Sequence, residues 1–367
     1  MDNPIRVGIT HGDVNGVGYE VMLKAVAPEG MTEMFTPVIF GVPEILNEAK
    51  TRFDLQNMQV NVIKNLSQIK TGKINLFALN SKPELHPGEV RKDAGASAVE
   101  ALEAGVEALK EGYIDVLVTA PISKEAVQSE SFSFPGHTEF LSARIGEGQD
   151  AMMILCNDEL RVALQTVHIP ITKIAESISK DKVIESVEKF SKTLKQDFGI
   201  VKPTIAVLSL NPHAGDGGLI GEEEENIIKP ALSELIQKGF LAFGPFPADG
   251  FFGHGVYKNF DGVLAMYHDQ GLAPFKTIAT TGGVNFSAGL PFVRTSPDHG
   301  TAYDIAWKGE ADPSSMRDAI YLAIDIFRRR RVFREASSNP LKKHMHERPE
   351  RHDRNTHKNE LNPEFDD

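Results

Sequence analysis

Short apolar runs alternating with amphipathic stretches constrain this chain more than any other feature. The runs "IRVGIT", "TPVIFG", "IDVLVTA", "RVALQTVH", "TIAVLSLN" and "GVLAMYH" are nearly all apolar and too short for buried helices. That is the pattern of strands covered on both faces. Between them, "AGASAVEALEAGVEALKEG" repeats apolar residues at helical spacing with Gly112 as a stop, and segments 171–197 and 222–239 show the same period. Strands separated by helices imply an α/β fold, with a parallel or mixed sheet and helices on both faces. At 367 residues, 41% of them hydrophobic, the chain has material for about two domains.

The run "MRDAIYLAIDIF" reads as the last helix, ended by "RRRRVFRE". Residues 336–367 contain almost no apolar side chains. Such a segment cannot offset its ordering entropy by burial and is expected to be a disordered charged tail. Its His344, His346, His352 and His357 are read as solvated, with no catalytic role.

Charge and composition exclude several classes. A net charge of −12 argues against binding a nucleic-acid backbone, which needs a basic face. No apolar stretch reaches bilayer-spanning length, so no membrane partner is expected. The single cysteine, Cys156, permits no intramolecular disulfide and suits a reducing compartment. The N-terminal "MDNPIRVGIT" has no secretory pattern, and a cytoplasmic location follows as an expectation.

Three of the apolar runs lead into histidines: His168 in "VALQTVHIP", His213 in "AVLSLNPHAGDGG" and His268 in "VLAMYHDQG". In open α/β sheets, ligands bind beyond the carboxyl ends of the strands. Three neutral imidazoles converging there form a divalent-metal site with open positions. Unconnected, each is a histidine at a strand end. The spacings are too long for a local zinc motif, so convergence depends on the fold. Adjacent strand-end residues point in opposite directions, so Asp269 is not expected to orient His268, whose supporting partner should come from elsewhere.

Other polar groups cluster in a similar way. In "FPGHTEF", His137 and Thr138 follow a turn and open a helical pattern, which suits either anion binding or helix capping. Lys276, Asn285 and Arg294 fall within one short span near glycine-rich segments, a grouping that suits a bound carboxylate or phosphate; surface ion pairing is the plainer alternative. "GITHGDVNGVGYE" joins a strand to a helix through Gly12, Gly16 and Gly18 without the spacing of a dinucleotide fingerprint.

Taken together, "GITHGDVNGVGYE", "TAPISKEA", "FPGHTEFL", "QTVHIP", "LNPHAGDGGLIGEEE", "GPFPADGFF", "AMYHDQGLAPFK" and "VNFSAGLPFVRTSPDHGTAYDIA" resemble the 4-hydroxythreonine-4-phosphate dehydrogenase family of vitamin B6 biosynthesis. The resemblance covers about residues 5–330. It implies two α/β/α subdomains with an active-site cleft between them, like isocitrate and isopropylmalate dehydrogenases. The subdomains would be residues 1–135 plus 285–335, and 136–284. It further implies oxidation of 4-phosphooxy-L-threonine by NAD or NADP, decarboxylation of the 3-keto acid, and a homodimer with its active site near the subunit interface. An alternative is a dehydrogenase of threonate or erythronate 4-phosphate; a related acyltransferase and a non-enzymatic binding module rank below it.

The resemblance also implies residue roles. His168, His213 and His268 match the ligands of one divalent metal, with zinc first and magnesium or cobalt as alternatives. His137, Thr138, Lys276, Asn285 and Arg294 match substrate-binding positions. Gly12 and Asp13, with His299, Gly300 and Asp304, fall in segments similar to the cofactor loops. Lys276 and Asp249 are the candidate catalytic groups, Lys276 or a metal-bound water taking the hydroxyl proton. The chain departs from the family's pattern at Val14 and Tyr19, where prolines are frequent, and at Trp307, where glycine is usual. An indole beside the cofactor loop is expected to affect how the adenosine end binds.

Overall fold

The computed structural model describes residues 4–129, 132–134, 136–280 and 282–339. All six expected strands form: β1 (Ile5–Thr10), β2 (Phe35–Gly41), β5 (Val116–Thr119), β7 (Arg161–Leu164), β8 (Thr204–Leu208) and β10 (Gly262–Ala265). Six more join them: β3 (Val60–Ile63), β4 (Ile74–Ala78), β6 (Met152–Cys156), β9 (Leu241–Phe246), β11 (Val284–Ala288) and β12 (Arg294–Pro297). Among the described residues they form one twelve-stranded sheet in the order β3-β4-β2-β1-β5-β12-β11-β6-β7-β10-β8-β9. The fold is α/β, as the alternation of runs implies.

The sheet is mixed for a local reason. β11 runs antiparallel to both its neighbours, β12 and β6, and β6 is antiparallel to β7. Away from this reversal the strands pair in parallel. Every residue of β2 and β5 is buried, which explains their unbroken apolar runs. β11 and β12 lie in the middle of the sheet, although their sequences, "VNFSA" and "RTSP", read as ligand-bearing loops. Several of their polar side chains are hydrogen-bonded inside the protein. Thr295 Oγ1, for example, donates to the Ala319 carbonyl at 2.7 Å, which satisfies that hydroxyl on burial.

Helices cover both faces. Lys92–Lys110 buries Ala94, Ala98, Leu102, Val106 and Leu109 along one stripe, the period read from the sequence. Segment 171–197 is not one helix. A turn at Ile171–Lys173 and a single helical turn at Ile174–Ser177 precede the helix Lys180–Gln196. Ser179 starts that helix, its side chain accepting from the Lys182 N–H. No helix among the described residues is long and apolar enough to cross a membrane.

The last helix, Ser314–Ser338, extends through the arginine run, so Ala336–Ser338 continue it. Within that run Arg330 is buried. Its Nε and Nη2 reach the two oxygens of Asp197 at 2.8 and 3.0 Å, and Nη1 donates to the Leu290 carbonyl at 3.0 Å. The remainder of the charged tail, including its four histidines, lies outside the described residues. Removing the carboxylate strands a buried guanidinium. Asp197→Ala should therefore lower stability by about 3–5 kcal/mol in urea unfolding; a loss below about 1 kcal/mol, the size of an exposed pair, would show that the pair behaves as a surface contact.

Candidate active site

A cleft of about 230 Å³ opens beside the central strands. β5 supplies Thr119, and the loop after it supplies Pro121 and Lys124. The helix His137–Ile145 presents His137, Thr138 and Glu139; β11 and β12 supply Asn285 and Arg294. β12 also adds Ser296, the segment after it adds Asp298, His299 and Gly300, and His168 closes one side. A larger hollow of about 660 Å³ lies elsewhere, around Asp197 and Arg330, and holds none of the expected site residues.

Arg294 is 1% exposed. Its Nη2 and Nε donate to Thr119 Oγ1 at 2.5 and 3.2 Å, and its Nη1 donates to Ser287 Oγ at 3.1 Å. These partners are neutral hydroxyls. Burial pushes the guanidinium down to about 9, opposed by the charge of Glu139, which leaves it cationic at neutral pH. Beside it, burial holds the His137 imidazole well below its usual range, and the charges of Arg294 and Lys124 add to the effect. The buried Nε2 of His137 and Oδ1 of Asn285 have no hydrogen-bond partner. Thr138 Oγ1 lies 3.5 Å from Ser287 Oγ.

The histidine-rich side is built by adjacent strands. β7, β10 and β8 lie side by side and parallel, and His168, His268 and His213 follow their carboxyl ends. The rings of His168 and His268 are 6.0 Å apart. Glu139 Oε1 meets His168 Nδ1 at 3.0 Å, and Asp269 Oδ1 meets His268 Nδ1 at 2.7 Å. The hydrogen bond to His168 holds the Glu139 carboxyl below its usual range. The Asp269 contact corrects the expectation that this carboxylate would face away. β10 ends at Ala265 and His268 opens the helix His268–Ile278, so strand alternation does not apply there.

His213 is exposed on the turn after β8. Among the described residues no group of three His, Cys, Asp or Glu side chains is close enough to hold a metal. Lys276 and Asp249 are both exposed and neither lines the cleft. Thr119, Lys124, Glu139 and Ser287 belong to the site but were not singled out from the sequence. Lys124 and Glu139 stand inside "TAPISKEA" and "FPGHTEF" and were legible as polar residues of those blocks. Thr119 and Ser287 look like ordinary strand residues and gave no signal.

The segment with Gly12 and Asp13 supports the cleft wall from beneath. Gly12 has φ +70°, and a Cβ there would lie 2.3 Å from the Pro121 carbonyl oxygen, so both its conformation and its close contact require glycine. The Asp13 N–H donates to that carbonyl at 2.8 Å. Asp13 Oδ1 accepts from the Asn15 N–H at 2.9 Å and Oδ2 accepts from the Tyr303 hydroxyl at 2.7 Å. Asp304 is exposed, and His299 Nε2 is buried without a partner.

Trp307 turns inward, away from the cleft. It is 4% exposed, and its Nε1 donates to the Val14 carbonyl at 2.8 Å. The indole packs 5.5 Å from the Phe53 ring and 6.5 Å from the Tyr19 ring. Its φ is +61°, the region that favours the glycine usual there.

The buried His11 stacks on Tyr19, and burial pushes it down to about 4 against opposing contributions from Gly12, Glu100 and Ser97. The depressed value makes the folded state refuse a proton that the unfolded chain accepts. Its contribution is complete above the ordinary value of 6.5 and drains as pH falls from 6.5 towards 4. The loss should be about 3 kcal/mol, with His137 adding in the same direction. Urea midpoints across this window should fall less steeply for His11→Gln than for the parent; parallel curves would show that His11 takes up its proton without unfolding.

Comparison with known proteins gives a consistent picture. The family model described as "Pyridoxal phosphate biosynthetic protein PdxA" matches residues 33–323. The chain is 50% identical to the 4-hydroxythreonine-4-phosphate dehydrogenase of Bacteroides thetaiotaomicron, across 95% of each chain. It is 36% identical to the D-threonate 4-phosphate dehydrogenase of Salmonella typhimurium, covering 87% of this chain and 98% of that one. The crystal structure of the Klebsiella pneumoniae 4-hydroxythreonine-4-phosphate dehydrogenase superposes with a TM-score of 0.76 at 33% identity, covering 89% of this chain and 98% of that one.

Proposed function

We propose a mechanism from the premise that this chain belongs to the PdxA family of pyridoxal phosphate biosynthetic proteins. It is a nicotinamide-dependent dehydrogenase that oxidises the 3-hydroxyl of 4-phosphooxy-L-threonine; the resulting 3-keto acid loses carbon dioxide. The observation that carries the substrate assignment is Arg294, a buried guanidinium bonded only to hydroxyls. Beside it, His137 Nε2 and Asn285 Oδ1 are unpartnered. A buried cation without a carboxylate gains most from a bound anion. The substrate phosphate fits that corner, with Thr138 as a hydroxyl partner, and its binding energy orients the reacting carbon.

The chemistry of the histidine pair suits a divalent cation, although no three such side chains among the described residues are placed to hold one. The carboxylates on the Nδ1 atoms of His168 and His268 leave each Nε2 to ligate, an arrangement usual for metal-bound histidine. His168 and His268 would hold the ion with His213 as third donor. Zinc suits imidazole best, with magnesium or cobalt as alternatives. A bound cation supplies positive charge that lowers the pKa of the substrate hydroxyl. Glu139 fixes the His168 ring and Asp269 the His268 ring. Lys276 and Asp249 remain our candidates for the catalytic groups. Because neither lines this cleft, a homodimer in which the partner subunit completes the site accommodates them best.

We place the cleft between the subdomains 1–135 plus 285–335 and 136–284. The cofactor, NAD or NADP, would run over the segments of Gly12–Asp13 and His299–Asp304. The enzyme is taken as cytoplasmic. A second reading, threonate 4-phosphate oxidation, is favoured by the 36% identity to the Salmonella enzyme.

Assays with 4-phosphooxy-L-threonine, D-threonate 4-phosphate and D-erythronate 4-phosphate, following nicotinamide reduction before and after chelation, separate these readings. The amino substrate should give the highest kcat/KM, and chelation should abolish turnover until metal is restored. Arg294→Ala should cost about 2–4 kcal/mol of transition-state stabilisation for the phosphorylated substrate and much less for unphosphorylated 4-hydroxythreonine. Preference for threonate phosphate would establish the second reading, and equal losses on both substrates would remove Arg294 from phosphate recognition.

A further inference from the structure

At the rim of the active-site cleft stands a cation without a partner. Lys124 lines the cleft together with His137, Glu139 and Arg294. It is exposed, and among the described residues its ammonium has neither a hydrogen-bond nor an ion-pair partner. The backbone that carries it is, by contrast, firmly held. Ser123 starts the short helix Lys124–Val127, its Oγ accepting from the Ala126 N–H at 3.2 Å. Lys92 Nζ donates to the Glu125 and Gln128 carbonyls at 2.7 and 3.2 Å. A Cβ on Gly95 would lie 2.2 Å from the Ala126 carbonyl oxygen, so the helix Lys92–Lys110 packs backbone to backbone against this turn. A plain surface lysine rides on a solvated face; this one is carried by a braced turn into a cleft that holds a buried guanidinium.

The charge balance of the cleft calls for a second cation. A phosphate monoester carries about −1.5 to −2 charges at neutral pH. Arg294 brings one positive charge, and the negative charge of Glu139 already bears on it. Asp298, the other carboxylate of the lining, is turned towards Ser315, whose Oγ donates to its Oδ1 at 3.3 Å. Arg294 alone therefore falls well short of balancing a dianion. Lys124 is near enough to make up the difference. Burial first, then the charge of Arg294, then that of Lys124 hold the His137 imidazole below its usual range, so both cations lie within electrostatic reach of one ring. The Glu139 carboxyl, held down first by its bond to His168, also feels Lys124.

We propose that Lys124 is a second phosphate-binding residue, whose ammonium closes onto the substrate phosphate held at Arg294 and supplies the positive charge that the buried guanidinium alone lacks. The inference rests on the reading of Arg294 as the phosphate anchor. The two cations divide the work by type. Arg294 is locked by Thr119 and Ser287 and fixes where the phosphate sits. Lys124 is a point charge on a flexible stem that can follow the phosphate in and out. Because its ammonium is paired with nothing in the free protein, contact with the phosphate displaces only water and breaks no existing ion pair.

The test uses the full-length protein. It measures Kd by calorimetry without nicotinamide, for 4-phosphooxy-L-threonine and for unphosphorylated 4-hydroxythreonine, and kcat/KM by nicotinamide reduction. Lys124→Met removes the charge and keeps the stem, and Lys124→Arg keeps the charge. Lys110→Met removes an exposed lysine at the far end of the neighbouring helix and controls for net charge. Lys124→Met should raise Kd for the phosphorylated compound and lower its kcat/KM about 10- to 100-fold, while its Kd for the unphosphorylated compound hardly changes. Lys124→Arg should recover most of the loss, and Lys110→Met should match the parent. Equal losses on both compounds, or the same loss in Lys110→Met, overturn the inference. If Arg294→Ala fails to discriminate between the two compounds, the phosphate reading falls and takes this inference with it. If Arg294→Ala loses the phosphorylated compound selectively while Lys124→Met does not, only the role of Lys124 fails.

Discussion

A guanidinium with no carboxylate, buried at the centre of a twelve-stranded sheet, is the interaction around which the rest is arranged. Taking Arg294 out of water is costly, and two hydroxyls recover only part of the lost hydration. The sheet supplies those hydroxyls by register. β11 pairs antiparallel with β12, Phe286 opposite Thr295, so Ser287 falls opposite Arg294. β5 pairs in parallel, Leu117 with Arg294, so Thr119 lies two residues on, facing the same side. The reversal of β11 thus brings Ser287 to Arg294. The interrupted parallel pairing at the centre is thus what gives the buried guanidinium its second hydroxyl partner.

The three departures from the family pattern form one cluster. Trp307 donates to the carbonyl of Val14 and packs near Tyr19, while Tyr19 stacks on His11 and its hydroxyl accepts from the Val42 N–H at 2.8 Å. A large side chain at a position with positive φ is strained, and it persists here because the indole N–H is satisfied and the ring is buried. The same loop is tied to the first helix through Glu20, whose carboxylate accepts from the N–H groups of Gly309 and Ala311 at 3.3 and 2.8 Å. The departures therefore brace the Gly12–Asn15 turn against the 301–311 segment from inside. A bulky residue judged by its position in the sequence looked like an obstruction, but its direction was a tertiary property.

Much of the architecture was legible because period and burial coincide. β1, β2, β5, β7, β8 and β10 have apolar runs that nothing but a buried strand explains. β11 and β12 were not legible, because "VNFSA" and "RTSP" are polar and their partners lie far away in sequence. The cleft followed the same divide. His137, Thr138, His168, Asn285 and Arg294 line one cleft; the strand-end rule reaches only His168, since Asn285 and Arg294 stand near the starts of β11 and β12. Thr119 and Ser287 become functional only through the register that sets them beside Arg294. Arg330 is the converse case. A run of four arginines reads as surface, yet one faces inward because Asp197, at the end of another helix, supplies its counter-charge.

The "YHDQG" stretch shows how exposed histidines are held by buried polar groups. His168 and His268 have side chains about a third exposed, at 32% and 36%. Exposed side chains on loop ends have rotamer freedom, and contacts with substrate cannot remove it before the substrate arrives. Each ring is therefore held at Nδ1 by a carboxylate, while the backbone beneath is held by Thr166 and Gln270. The aspartate meets the histidine ring, and the glutamine ties its loop to the end of β8. Replacing that glutamine with an apolar residue would leave the Ser209 carbonyl and the Met266 N–H without their side-chain partner, a cost larger than the gain from burying a methylene or two. An apolar core could give the sheet equal stability, but it could not fix the distance between two loops as a satisfied polar network does.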